Sequence, residues 1–297
     1  MAAFFDFRAY HNMLTNDSSI ISAVSKTQVL KISNHLAHAE ISLFGGQVLS
    51  YIPKHDGRER LWVSENAIFD GKKAIRGGIP ICWPWFGEHG TNQEVSAHGY
   101  VRTQLWQIVT TQDSSTGTRL ELQPQTSAGA GFAAQAQLTL VINIGQQLSI
   151  ALHTANLGHQ PFTYNGALHS YLAVSDIRRC ELVGLWGQYV DKTRDQQRSN
   201  TPAPYVFFEE TDSVHLIQAP TVNIVDTYNG PDDRYHTKIG FVGHDSIVVW
   251  NPWQQKSISM VDMADNSYQS MLCVESAITQ GHQVAAGQTH VLQQVIS

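Results

Sequence analysis

Residues 74–102, AIRGGIPICWPWFGEHGTNQEVSAHGYVR, concentrate side chains that could bind and polarise an oxygen-rich ligand. Arg76, His98 and Arg102 are donors to hydroxyl or phosphate oxygens, and Trp83, Trp85 and Phe86 offer flat apolar faces of the kind that stack on sugar rings. Gly77 and Gly78 permit positive φ or close backbone approach, while Pro80 and Pro84 fix φ and withhold a donor. The segment therefore reads as a shaped loop. A long loop of defined shape inside a compact chain is usually functional. Taken singly, the tryptophans fit core plugs and the arginines a solvated surface; their concentration in one loop marks the wall of a binding site.

Proton-transfer groups come from two strand-like runs. In ALHSYLAV, Leu168, Ser170, Leu172 and Val174 share one face, and Ala167, His169, Tyr171 and Ala173 the other. In MLCVES, Glu275 shares parity with Met271 and Cys273, opposite Leu272 and Val274. A carboxylate in such apolar company has a raised pKa, and a nearby carboxylate raises a histidine pKa, which suits both for proton transfer near neutrality. Parity cannot show that the two face each other. Alone, His169 also fits a hydrogen-bonded core histidine, and Glu275 an ion-pair partner.

The elements that must position these groups are strands. From Gln28 onward apolar and polar residues alternate in short runs bounded by turns, as in residues 105–111, 119–122, 134–142 and 147–155. Asp56-Gly57 signals a hairpin before a strand RLWVS, and Asn229-Gly230-Pro231-Asp232 another turn. Further strands are expected at 206–208, 215–218, 222–225, 239–242, 247–250, 271–274 and 289–296. Helical character is confined to residues 17–24 and 254–263. The polar run 191–204, DKTRDQQRSNTPAP, reads as an exposed loop. Many short strands and few helices predict an all-β fold, a large antiparallel β-sandwich, as a single domain over residues 1–297.

Composition removes several function classes. The chain has 297 residues, a net charge of −6 and 15% charged residues, so it offers no basic surface for nucleic acid or a membrane, and an anionic substrate must be met by local Arg and Lys. No apolar run approaches the roughly 18 residues of a spanning helix, and the N-terminal MAAFFDFRAYHN lacks a basic and then apolar leader. A soluble, cytoplasmic, monomeric protein acting on a small molecule is expected. Cys82, Cys180 and Cys273 are odd in number and lack CxxC spacing, which predicts buried free thiols. No metal is expected: the 14 histidines form no HxH or HExxH, and pairs such as His282 and His290 are far apart in sequence. No nucleotide-binding glycine pattern occurs, and no cofactor is expected.

The runs IRGGIPICWPWFG and AHGYVR, with ALHSYLAVSDI at 167–177, VVWNPW at 248–253 and MLCVESA at 271–277, resemble in order the hexose-6-phosphate mutarotase (glucose-6-phosphate 1-epimerase) branch of the galactose mutarotase-like family. The similarity covers the chain from about Ile41 to its C-terminus. It implies a β-sandwich that interconverts the α and β anomers of hexose 6-phosphates, glucose 6-phosphate above all, with neither metal nor cofactor. It further implies that Glu275 is the general base and His169 the general acid, and that His98 and Arg76 hold the ring oxygen or neighbouring hydroxyls. Asp212 matches the position of a carboxylate that accepts from sugar hydroxyls, and it also fits a turn residue. Arg102, with Lys72 or Lys73, is the candidate for the 6-phosphate. Three alternatives stay open on the residues alone. They are a mutarotase of free aldoses, a glycosidase drawing on Glu209, Glu210, Asp212 and Glu275, and a sugar-binding or regulatory protein without catalysis.

Overall fold

The computed structural model describes residues 22–24, 28–90, 94–228 and 233–297. Its named strands pair antiparallel throughout. The sheet that carries His169 and Glu275 runs Gln197–Asn200, Gln188–Asp191, Thr211–His215, Ser246–Asn251, Met271–Val284, Phe162–Leu168 and Ile81–Cys82, with Tyr171–Ala173 also paired to Met271–Val284. A nine-stranded sheet backs it, from Tyr205–Val206 through Cys180–Val183, Thr221–Thr227, Arg234–Val242, Thr289–Ile296, Leu148–Asn156, Ala136–Ile144 and Gly117–Pro124 to Trp106–Ser114. Four strands between Ser22 and Pro53 form a third, smaller sheet. This is the expected antiparallel β-sandwich.

Alternation explains the layering. Leu168, Leu172, Leu272 and Val274 of the site sheet meet Leu140, Ile142, Ile150, Leu152, Leu292 and Ile296 of the backing sheet in one apolar core. Their alternate neighbours turn to the other face of the site sheet, where Tyr171, Trp250, Met263, Met271 and Cys273 make a smaller cluster. A buried polar tie crosses the core: Gln294 of the backing sheet accepts from the Ser170 hydroxyl and donates to the Val274 carbonyl at 2.9 Å. Ser170 and Val274 adjoin His169 and Glu275, so this tie fixes the backbone on which the pair stands.

Several local expectations are corrected. Asp56-Gly57 does not turn the chain into a second regular strand. The Asp56 carboxylate instead clamps the buried Arg60 guanidinium at 2.6 and 3.3 Å, and Leu61 and Val63 form only isolated bridges to Leu172 and Gly77. The run 191–204 is an edge hairpin, Gln188–Asp191 paired with Gln197–Asn200, and its polarity reflects exposure at the sheet edge. Of the two helical expectations, residues 17–21 lie outside the described residues and Ser22–Val24 is a strand paired with Val29–Ser33. The second helix, Trp253–Ser259, is shorter than expected because the chain turns extended at Met260. The turn expected at 229–232 lies outside the described residues.

Two scaffold histidines are held neutral. His215, buried between the Thr201 and Ser213 hydroxyls, is pushed down by burial to about 4. His290, bonded to the Tyr164 hydroxyl at 2.7 Å, is pushed down to about 4 by burial and then by His282. In the unfolded chain both recover an ordinary value near 6.5 and take up protons that the folded chain refuses until about pH 4. Their contribution is therefore complete above about pH 6.5 and lost progressively down to about pH 4. The thermal midpoint should fall across that window, and His215→Gln should make the fall shallower by up to about 1.4 kcal/mol per pH unit. A midpoint that does not respond to pH there would mean that neither ring is buried as a neutral base.

Candidate active site

Register brings the histidine and the carboxylate together. Leu168 pairs with Ser276 and Tyr171 with Cys273, and this unbroken register sets His169 opposite Glu275 across neighbouring segments. On its other side the same segment is held by the loop. Ala167 and Leu168 pair with Cys82 and Ile81, the His169 amide donates to the Pro80 carbonyl at 3.0 Å, and the Tyr171 amide donates to that of Gly78 at 2.9 Å. Gly78 can do this because it lies at φ +60 with its missing Cβ 2.2 Å from the Val48 carbonyl oxygen, a place no side chain could occupy.

The pair itself is close and buried. His169 Nδ1 lies 3.4 Å from Glu275 Oε1, and the Glu275 side chain is 1% exposed. His169 Nδ1 and Glu275 Oε2 are both buried without a hydrogen-bond partner. Burial pushes Glu275 well above the usual carboxylate range; Asp212 raises it further and Lys192 opposes. His169 moves the other way, well below 6.5, through burial and then through His98, Arg102 and Arg76. The expectation that a nearby carboxylate would raise His169 is thus corrected: desolvation and surrounding cations outweigh a carboxyl that is itself driven toward neutrality. Each group's shift favours its uncharged form.

Around the pair stand the other residues singled out in the sequence. The His169 ring stacks on Tyr171 at 4.9 Å between centroids and meets His98 at 5.8 Å and Trp250 at 6.2 Å. His98 sits at φ +64 and exchanges two bonds with Gly87. Its amide donates to the Gly87 carbonyl at 2.7 Å, and its Nδ1 accepts the Gly87 amide at 3.3 Å. Burial, then Arg102, Lys192 and Arg76, push its pKa down to about 3, so it is a neutral imidazole with Nε2–H left as a donor. Arg76 reaches the Tyr171 hydroxyl at 3.0 Å and Asp262 at 3.1 Å. Arg102 donates to the Ala97 carbonyl at 2.8 Å, and its Nε is buried without a partner. Asp212 pairs in register with Trp250 and holds Lys192 Nζ at 3.2 Å.

The structure therefore gathers Arg76, His98, Arg102, His169, Asp212 and Glu275 around one centre. It does not bring Trp83 and Trp85 there. Trp83 is fully buried in the main core against Phe132 and Tyr100, and Trp85 is buried with its Nε1 on the Ser96 carbonyl. Of the three aromatics expected to stack on a sugar, Phe86 alone approaches the pair, 5.0 Å from His98 and 6.4 Å from His169. Lys72 and Lys73 lie in an exposed turn closed by the Asp70 carboxylate. Sequence reasoning missed Tyr171, Trp250, Asp262 and Lys192. Tyr171 was legible in the parity it shares with His169, whereas Lys192 comes from a polar run with nothing local to mark it.

The donor set for a metal is limited. One ligand atom from each of His169, Cys273 and Glu275 lies within 4.8 Å of the others, and among the described residues no other group of three His, Cys, Asp or Glu meets that spacing. The expectation that His282 and His290 are too far apart to meet locally is corrected: the successive strands Met271–Val284 and Thr289–Ile296 bring their rings into a stack at 3.7 Å between centroids.

Known proteins bear on this geometry. The aldose 1-epimerase family model matches residues 28–297. A protein of Cenchrus ciliaris with the provisional name glucose-6-phosphate 1-epimerase is 34% identical over 262 residues, 80% of this chain and 74% of that one. A Salmonella typhimurium protein with the same provisional name is 33% identical over 251 residues, 83% and 82% of the two chains. The crystal structure of a provisionally named mutarotase from Salmonella typhimurium superposes with a TM-score of 0.86 at 28% identity, over 95% of this chain and 94% of that one. With a sandwich of this topology and a match that spans nearly every described residue, the chain belongs to the aldose 1-epimerase family.

Proposed function

We propose that the protein interconverts the α and β anomers of hexose 6-phosphates, with glucose 6-phosphate as the preferred substrate. The observation that carries this reading is the buried His169 and Glu275 pair, 3.4 Å apart, beside His98, on which Arg102, Lys192 and Arg76 all act. Anomerisation needs one group to take the proton of the C1 hydroxyl and another to give one to the ring oxygen. C1 then rotates, and the same groups exchange roles as the ring closes. No covalent intermediate is called for. Glu275 is the base and His169 the acid on opening. His98 Nε2–H and Arg76 donate to ring or hydroxyl oxygens, Asp212 accepts from a hydroxyl, and Trp250 and Phe86 wall the sugar.

The cations explain why a phosphorylated sugar suits the site. Arg76, Arg102 and Lys192 all depress His98, and the two arginines depress His169, so each lies within electrostatic reach of the pair. In a chain of net charge −6, such a concentration fits a dianion. Burial and then the cations hold His169 unprotonated; the 6-phosphate offsets the cationic part, and the C1 hydroxyl donates to Glu275 and favours its carboxylate form. Binding thus moves the shared proton from Glu275 toward His169, which readies base and acid together.

Glu275→Gln and His169→Asn should each slow anomer interconversion, followed by NMR on freshly dissolved α-glucose 6-phosphate, by about 100-fold or more. Near wild-type turnover in either variant, in protein that still melts cooperatively, removes that residue from the mechanism. The rate should follow a bell-shaped pH profile. It falls in acid as the pair takes a second proton and in base as it loses its last one, and the two limbs belong to the pair jointly.

Arg102→Glu should raise KM for glucose 6-phosphate by about tenfold or more, a loss of about 1.4 kcal/mol, while residual activity on free glucose barely changes. Lys192→Met should act in the same selective direction. Equal damage to both substrates would mean that Arg102 shapes the loop through Ala97. Equal acceleration of glucose, galactose and glucose 6-phosphate by the wild-type protein would replace the phosphate reading with an aldose 1-epimerase of free sugars. Exhaustive treatment with EDTA followed by dialysis should not lower activity, since the step is proton transfer alone; a loss restored by one divalent ion would contradict it.

A further inference from the structure

Cys273, which the reaction above does not use, stands two residues before Glu275 on the same face of the strand, fully buried and a free thiol. Its sulfur, one ring nitrogen of His169 and one carboxyl oxygen of Glu275 lie within 4.8 Å of one another. Two further features make this more than proximity. Nδ1 of His169 and Oε2 of Glu275 are buried without any hydrogen-bond partner, so the pair has coordinating capacity that no protein group satisfies. The 3.4 Å between His169 Nδ1 and Glu275 Oε1 also matches the edge of a tetrahedron about zinc, roughly 3.3 Å for bonds of about 2.0–2.1 Å.

Thiolate, imidazole and carboxylate together select a borderline-soft dication over magnesium or calcium, which prefer oxygen alone. Charge points the same way. A dication held by one thiolate, one carboxylate and one neutral imidazole is a neutral cluster, the form that a desolvated position tolerates. The His169 side chain, 12% exposed, marks the side from which an ion enters.

We propose that His169, Cys273 and Glu275 form an inhibitory site for a zinc-class divalent cation. On coordination Cys273 releases its thiol proton to solvent, Glu275 releases any proton it carries, and His169 binds as the neutral ring; nothing is oxidised or reduced. The fourth position is left to water. Because two of the ligands are the proposed acid and base, the bound ion stops anomerisation, and only this consequence rests on the function proposed above.

The test titrates the full chain, freed of metal, with Cd²⁺ while following the ultraviolet thiolate-to-metal charge-transfer band. One equivalent should bring up the band in the wild type and in Cys180→Ser. Cys273→Ser should lose the band and bind the ion roughly tenfold more weakly or worse. Co²⁺ in the wild type should give the intense visible spectrum of a tetrahedral, sulfur-ligated ion. Zn²⁺ should inhibit wild-type anomerisation reversibly by chelator, with a midpoint roughly tenfold or more higher in Cys273→Ser when each protein is referred to its own metal-free rate. Absence of the band, a weak octahedral cobalt spectrum, or inhibition unchanged in Cys273→Ser each overturns the site. If the wild type shows no anomerisation at all, the proposed function fails, and the cadmium and cobalt spectra still decide the metal site.

Discussion

The proposed chemistry depends on one constraint, the register that sets His169 against Glu275 inside a sheet with apolar layers on both sides. A carboxyl and an imidazole placed there lose their hydration and gain little from each other, since burial drives both toward neutral forms. Such an arrangement survives only where the scaffold over-determines it. The backbone of residues 168–171 is therefore pinned on both sides. Ladder bonds to Met271–Val284 fix one edge, and the Gly78 and Pro80 carbonyls fix the other. Behind it, the Ser170 to Gln294 to Val274 tie locks the site sheet to its backing sheet.

That requirement explains the composition of residues 74–102 better than direct ligand contact does. Gly78 and Pro80 extend the sheet edge that holds His169, while Trp83 anchors the strand Ile81–Cys82 in the main core. At the far end of the loop, Gly99 at φ +73 has its missing Cβ 1.8 Å from the Trp83 carbonyl oxygen, so the chain closes on its own start, and His98 is delivered opposite Phe86. The loop is thus part frame and part wall. Arg76, Phe86, His98 and Arg102 form the wall, and the tryptophans belong to the frame.

This division shows what could be read from the chain unaided. Period-two alternation disclosed the strands because burial on one face imposes it, and parity assigned His169 and Glu275 to the face away from Leu168, Leu172, Leu272 and Val274. Parity carries no information on which strands adjoin, so the pairing itself was available only through resemblance. Trp83 and Trp85 misled because a buried and a stacking indole have the same local signature. Asp56-Gly57 misled because its carboxylate had a nearer partner in Arg60, four residues on, and the loop closes on that clamp. Lys192 was invisible: it lies in the exposed hairpin Gln188–Asn200 region, and only sheet pairing brings it to Asp212.

Lys192 also shows how charge and proton transfer are joined. Burial sets the direction for both Glu275 and His98; Lys192 then opposes the rise of Glu275 that Asp212 adds to, and with Arg102 and Arg76 it adds to the lowering of His98. Lys192 thus acts on Glu275, the two arginines on His169, and all three cations on His98. On the proposed function, a neutral sugar leaves His169 opposed by two guanidinium groups, of which Arg76 is already paired with Asp262. On the same reading, a dianionic sugar offsets that opposition as its C1 hydroxyl reaches Glu275. On the proposed function, selectivity for the phosphate and readiness of the acid are two effects of one electrostatic arrangement, since the phosphate both adds binding energy and eases the cationic share of the field on His169.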